Sequence, residues 1–159
     1  MIFPWELTSF KVYKMSVPTK QYLKELYDEC NQMYFWGKLG KCDFMFFSKN
    51  VGFLGWYNSR DDKNGNPKDR IWIGTCVYWT PEDLRQTMIH EMVHMYNVRV
   101  ENKWWRGILG HGPCFRRHRR RIKREFGIDI MAFHNMEYRS KKVSPPKLWE
   151  KVLIWIVDR

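Results

Sequence analysis

The sequence predicts an α+β fold, a single domain in which a small antiparallel sheet packs with helices. Three observations carry this. Two long stretches have helical periodicity and clear start or stop signals. Short apolar, aromatic runs lie between them, and the dipeptide Asn64-Gly65 marks a tight turn among those runs. A length of 159 residues fits one domain, and with 44% apolar and 17% aromatic residues most of the chain can build a core rather than remain disordered. The organisation expected is an N-terminal extension over 1–18, the domain over 19–135, and a basic C-terminal segment over 136–159 ending in a strand.

The first helix spans Thr19 to Phe35. Its apolar residues Tyr22, Leu23, Leu26, Tyr27, Cys30, Met33 and Tyr34 recur at steps of three and four, and Gly37 ends it. Cys42 to Phe47 reads as a strand, and Gly52 to Asn58 as a second whose glycines suggest bulges or close backbone approach. The polar segment Ser59 to Arg70 reads as the turn region, and Arg70 to Thr75 as the returning strand.

Thr80-Pro81-Glu82-Asp83 starts a helix: Thr80 can cap, Pro81 suits the first helical position, and Asp83 stands where a capping-box acid belongs. This helix runs to about Asn97 and is apolar on nearly all sides after Thr87, so it is expected to be buried. Glu101 to Gly112 reads as a loop. Pro113 opens a last helix that runs to Phe126 and stops at Gly127, and Val152 to Val157 is strand-like.

The four cysteines form no Cys-x-x-Cys pair, which excludes a zinc ribbon built from them, and they read as free thiols of a reducing compartment. No secretory signal or bilayer-length apolar run is present. The expectation is a soluble monomer in cytoplasm, nucleoid or nucleus, neither secreted nor bound to a membrane.

His90-Glu91-Met92-Val93-His94 is a His-Glu-x-x-His motif. Residues i and i+4 of a helix share a face about 6 Å apart, so both imidazoles can reach one zinc, and Glu91 stands close enough to act on water there. The bland reading is three polar groups satisfied within the core. A catalytic zinc needs a third protein ligand. The metzincin spacing is excluded, because Asn97 and Val100 stand where it needs Gly and His. Glu101, Glu125 and His111 remain, and His111, in a Gly-His-Gly-Pro turn at the head of a helix, is the best candidate of the three.

Gly110-His111-Gly112-Pro113-Cys114-Phe115 resembles the Gly-His-Gly-Pro-x-Phe signature of SprT-like (Spartan-type) proteins, and Asn31 to Leu39 resembles that family's helix end. A Gly-x-Tyr hairpin also follows, with Trp56-Tyr57 in the matching place, so the resemblance covers about residues 19 to 127. It implies a zincin-like metallopeptidase domain, with zinc on His90, His94 and His111 and with Glu91 catalytic. Bound zinc acidifies water and polarises a substrate carbonyl. Glu91 would take the water's proton and hand it to the leaving amine. A second donor for the developing oxyanion is expected from Tyr57 or His118, the latter being otherwise a satisfied core histidine. By the same analogy the substrates would be proteins bound or crosslinked to DNA.

The formal charge is +11, and seven of the nine residues from Arg116 to Arg124 are Lys or Arg, leaving +4 elsewhere. With Phe115, His118, Ile122 and Phe126 facing inward, Arg116, Arg117, Arg120, Arg121, Lys123 and Arg124 should face solvent. Such a run points to phosphate-backbone contact without base reading, on DNA that includes single strands, with exposed aromatics available for stacking. A solvated face with no ligand is the plain alternative. Two rival functions stand beside the leading one: a peptidase with no nucleic-acid role, and a nucleic-acid-binding module with a structural metal.

Overall fold

Thr19 opens helix α1 (Lys20–Phe35) by accepting the Tyr22 N–H on its hydroxyl oxygen at 3.1 Å. The structure, a computed structural model, describes residues 17–48, 53–103 and 110–131. The expected terminal strand, His134 and nearly all of the N-terminal extension lie outside these. In α1 the spacing buries Leu23, Leu26, Tyr27, Cys30 and Tyr34 on one face, whereas Met33, counted in the same apolar set, is exposed and Tyr22 only partly buried. The helix ends where Trp36 and Gly37 both take positive φ, 57° and 67°. Buried Asn31 then folds the chain back: its amide nitrogen donates to Leu39 O at 3.0 Å and its side-chain oxygen accepts the Leu39 N–H at 3.1 Å. The Tyr27 hydroxyl donates to Gly40 O at 2.7 Å, and the chain leaves from there into the sheet.

Strands β1 (Cys42–Phe47), β2 (Gly55–Asp61) and β3 (Pro67–Gly74) form one sheet in the order β1-β3-β2. The β2–β3 hairpin is antiparallel, with Tyr57 opposite Ile71, but β1 runs parallel to β3, with Phe44 opposite Ile71. The sheet is therefore mixed rather than wholly antiparallel as expected. After β1 the chain crosses to the far edge and leaves a gap one strand wide. β3 returns into that gap, where Thr75 N–H donates to Phe47 O and Gly74 N–H to Leu54 O. The central place goes to the strand that buries Ile71 and Ile73 completely.

The hairpin also reaches further into polar sequence than the pattern suggests. Its turn is only 62–66, where the Asp62 carboxylate accepts the N–H groups of Asn64 and Asn66 and Gly65 has φ 79°. Asp69, read as turn sequence, is instead an inward-facing strand residue. It is buried because the Tyr57 hydroxyl donates to it at 2.7 Å and Arg99 Nε reaches both its oxygens at 3.0 Å. Arg99 also pairs with Asp61 at 2.9 Å, and so ties the end of the next helix to the hairpin.

That helix, α2 (Pro81–Arg99), begins at Thr80, which accepts the Asp83 N–H at 3.0 Å and donates its hydroxyl to the Asp83 carboxylate at 2.6 Å. It lies between α1, the β2 edge and the last helix of the described residues, α3 (Pro113–Phe126), which explains why nearly every residue from Asp83 to Asn97 is buried. Met88, Ile89, Met92 and Val93 join Leu23, Phe35 and Trp79 in one core. Among the described residues no helix is long and apolar enough to cross a membrane, and all four cysteines are free.

Candidate metal centre

His90, Glu91 and His94 occupy one turn of a buried helix, where three polar side chains cost several kcal/mol unless they are satisfied. The first satisfaction comes from outside the motif. The Ile130 carbonyl lies 3.1 Å from His90 Nδ1 and can only accept, so Nδ1 carries the proton and the Nε2 lone pair points inward. His94 Nε2 stands 3.3 Å from that atom and His111 Nε2 2.9 Å from it. Gly110 (φ 57°) and the Gly112-Pro113 start of α3 deliver His111 to this point, 12 residues along the chain from the end of α2.

Phe115, one turn into α3, forms the floor. Its ring centroid is 4.8, 4.9 and 4.4 Å from the rings of His90, His94 and His111. Burial lowers His90 to about 4 and His94 to about 3, and it lowers His111 as well, so all three are neutral imidazoles near pH 7. Facing lone pairs repel unless a proton or a cation sits among them. Three ligands at 2.0–2.1 Å around a tetrahedral ion would be separated by about 3.3 Å; the His94 and His111 nitrogens stand 3.3 and 2.9 Å from that of His90, and all three lie within 4.8 Å of one another, so the donors fit a divalent ion. Among the described residues these three are the only group of His, Cys, Asp and Glu side chains gathered within 4.8 Å that can hold a metal.

Glu91 lies on the other side of the same turn, against β2. It is buried, and burial pushes its carboxyl up to about 8, although the Tyr57 backbone N–H that bonds to it pulls the other way. Gly55 comes close enough that a β-carbon there would stand 2.7 Å from Thr87 Cγ2 and 2.9 Å from Glu91 Oε1. The expectation of close approach at a strand glycine is met at this position.

The other candidates are drawn elsewhere. Glu101 accepts from His118 Nε2 at 2.8 Å and from Arg117, which places its carboxylate on α3 and away from the three imidazoles. Glu125 is exposed and pairs with Arg121 and Arg124. His118 is buried beside the Tyr96 ring, and its hydrogen bond goes to Glu101. The Tyr57 hydroxyl goes to Asp69, so Tyr57 touches the site through its main chain rather than its ring. Sequence reasoning missed the Ile130 carbonyl and the Tyr57 amide, since main-chain groups carry no residue signature. It placed Phe115 in the core but not beneath the imidazoles.

On α3 the inward set is Phe115, His118 and Ile122, and Phe126 is exposed instead, in the last turn against Tyr34. Five of the seven cations have acidic partners: Arg117 has Glu101, Arg119 and Lys123 have Asp129, and Arg121 and Arg124 have Glu125. Arg121 is half-buried rather than turned to solvent, because its guanidinium donates to Tyr34 O at 2.7 Å.

A family model described as the SprT-like family matches residues 23–137. The chain belongs to the SprT-like family. Its SprT-like region is similar to the DNA-dependent metalloprotease SPRTN of Homo sapiens, 30% identical over 112 residues, which is 70% of this chain and 22% of that protein. SPRTN of Xenopus tropicalis is 28% identical over 113 residues, 71% of this chain and 25% of that protein. The DNA-dependent metalloprotease dvc-1 of Caenorhabditis elegans is 28% identical over 112 residues, 69% and 30% respectively. The chain thus spans less than a third of the length of these curated relatives.

Proposed function

We propose that this chain is a zinc-dependent metalloendopeptidase, with His90, His94 and His111 holding the metal and Glu91 as general base. The observation that carries the reading is the convergence of three neutral imidazole Nε2 atoms one residue along the helix from a buried carboxyl. An all-imidazole set leaving a position open suits zinc. When bound, zinc would supply acidified water and a Lewis acid for the substrate carbonyl.

The chain's own residues account for the rest. The Ile130 carbonyl orients His90, and Phe115 keeps water from beneath the imidazoles. The Tyr57 N–H and the close pass of Gly55 hold the Glu91 carboxyl in one place. Glu91 takes a proton from water there and delivers it to the leaving amine. A neighbouring divalent charge favours the ionised carboxylate that this requires.

The substrates are proteins held on nucleic acid, DNA–protein crosslinks among them; the DNA dependence named for the relatives and the basic face of α3 support the nucleic-acid part of this reading. That reading also places the enzyme with nuclear or nucleoid material. The ion pairs on α3 favour a second reading, a peptidase with no nucleic-acid role, whose cations are answered by its own acids. Cleavage of a basic DNA-binding protein, measured with and without single- and double-stranded DNA, separates the two. Cleavage is expected to need zinc, to vanish in Glu91→Gln and to rise with DNA. Activity that survives in Glu91→Gln would sink the enzymatic assignment, and activity indifferent to DNA would favour the second reading.

A further inference from the structure

Arg117, Arg120, Arg121 and Arg124 recur at steps of three and four, and so share one face of α3 over about 10 Å. One large ring lies against this stripe. Trp36 is 56% exposed, the Arg121 guanidinium stands 4.4 Å from its ring centroid, and the Lys38 ammonium stands 5.4 Å from it. Trp36 has φ 57°, a conformation that bulky residues adopt rarely and that Gly or Asn would fill more easily. The turn itself therefore does not call for tryptophan. The Tyr96 ring, 6.2 Å from that of Trp36, belongs to a residue two positions after His94, so this surface flanks the helix that carries the metal centre.

We propose that Trp36, Lys38 and the arginine stripe of α3 form a binding site for single-stranded nucleic acid. One unpaired base lies on the open part of the Trp36 ring, which Arg121 backs, and neighbouring phosphates lie along the exposed Arg117, Arg120 and Arg124. The inference rests on the nucleic-acid reading above and adds a strand preference and a place to it. An aromatic ring offers its face to any unpaired base, whereas a duplex hides its base faces. Arg120 has no carboxylate partner among the described residues. The pair made by Arg124 with Glu125 is an exposed one of the weak kind, which a phosphate can replace, whereas Arg117 is 56% exposed beside a Glu101 carboxylate that His118 and Lys103 also hold.

The test is fluorescence anisotropy with labelled oligothymidylate, oligouridylate and a DNA duplex, on the zinc-loaded chain and on Trp36→Ala, Trp36→Phe and Arg124→Gln. Trp36→Ala should weaken oligothymidylate binding about tenfold and leave duplex binding within about twofold, and Trp36→Phe should restore most of the loss. Arg124→Gln should flatten the salt dependence of single-strand binding by about 0.7 in log–log slope. Peptidase activity without nucleic acid should be unchanged in Trp36→Ala, which also shows that the variant folds. A comparable loss with oligouridylate means that the site takes RNA as well as DNA, and a loss confined to oligothymidylate makes it a DNA site. Unchanged oligothymidylate affinity in Trp36→Ala, or an equal loss on the duplex, overturns the platform while the broader nucleic-acid reading stands. If the unaltered chain binds none of the three probes, both fall.

Discussion

Gly55 and Glu91 approach so closely that a single added carbon on the strand would stand 2.9 Å from Glu91 Oε1. The contact is between an edge strand and the proposed general base, so the space left by a missing side chain sets where the carboxyl sits. Gly55→Ala should lower kcat/KM by about 100-fold, as expected when a catalytic group moves by about 1 Å. Zinc content should stay the same, since the atoms nearest the added carbon belong to Thr87 and Glu91 and not to the three imidazoles. Zinc stoichiometry and peptide hydrolysis measured on one preparation check this, and wild-type activity in Gly55→Ala would remove the positioning role. Thr87→Ser, which deletes the methyl group 2.7 Å from the added carbon, should recover part of the loss when combined with Gly55→Ala.

Without metal, the titration of the site predicts how stability follows pH. His90 and His94 have folded values of about 4 and about 3, below the ordinary histidine range, so their contribution is present above about pH 6.5 and is lost as pH falls toward those values. Glu91, raised by burial to about 8, works in the opposite sense: its contribution is complete below about pH 4.5 and is lost as pH rises through 8. The metal-free protein should therefore melt highest near pH 6.5. Glu91→Gln should remove the alkaline decline and raise Tm by several degrees at pH 8.5. Thermal melts in chelator across pH 5 to 9 test this, and identical alkaline limbs for the two proteins would contradict it.

Zinc should stabilise the folded chain in proportion to its binding. At free zinc 100 times the dissociation constant the gain is about 2.7 kcal/mol, read as a rise in Tm. His111→Ala keeps the two imidazoles of α2 and loses the one delivered by α3, so its zinc-induced shift should shrink to a small fraction of the wild-type value. An unchanged shift in that variant would mean that the ion sits elsewhere.

Arg99 compensates the buried carboxylate of Asp69 and joins α2 to the hairpin. Arg99→Met should cost about 3 kcal/mol in urea unfolding, because it leaves Asp69 buried with only the Tyr57 hydroxyl. Adding Asp69→Asn should return part of that cost, since the remaining group is then uncharged. If the double variant is no more stable than Arg99→Met, the charge is not the cause.

Local physics made much of this protein readable in advance. Thr80 and Pro81 mark the start of α2, and the four-residue step from His90 to His94 places two imidazoles on one face of any helix that forms there. The apolar face of α1 and the extent of β1 follow from the spacing and the runs of apolar residues in the same way. The hairpin was harder to bound, because Ser59 to Asp69 is polar by composition yet extended and paired. Its inward carboxylate is satisfied by Arg99, 30 residues away.

Sequence alone determined that a buried helix carries His90, Glu91 and His94, and it narrowed the third donor to a few residues. Only the tertiary structure decided that His111 meets them, that Ile130 turns His90, that Gly55 hems in Glu91, and that β3 rather than β2 lies beside β1. The reason is one of range. Helix periodicity, caps and turns are settled by atoms within a few residues of one another. A site assembled from two helices, a strand edge and a distant carbonyl depends on how the elements pack, which no local pattern records.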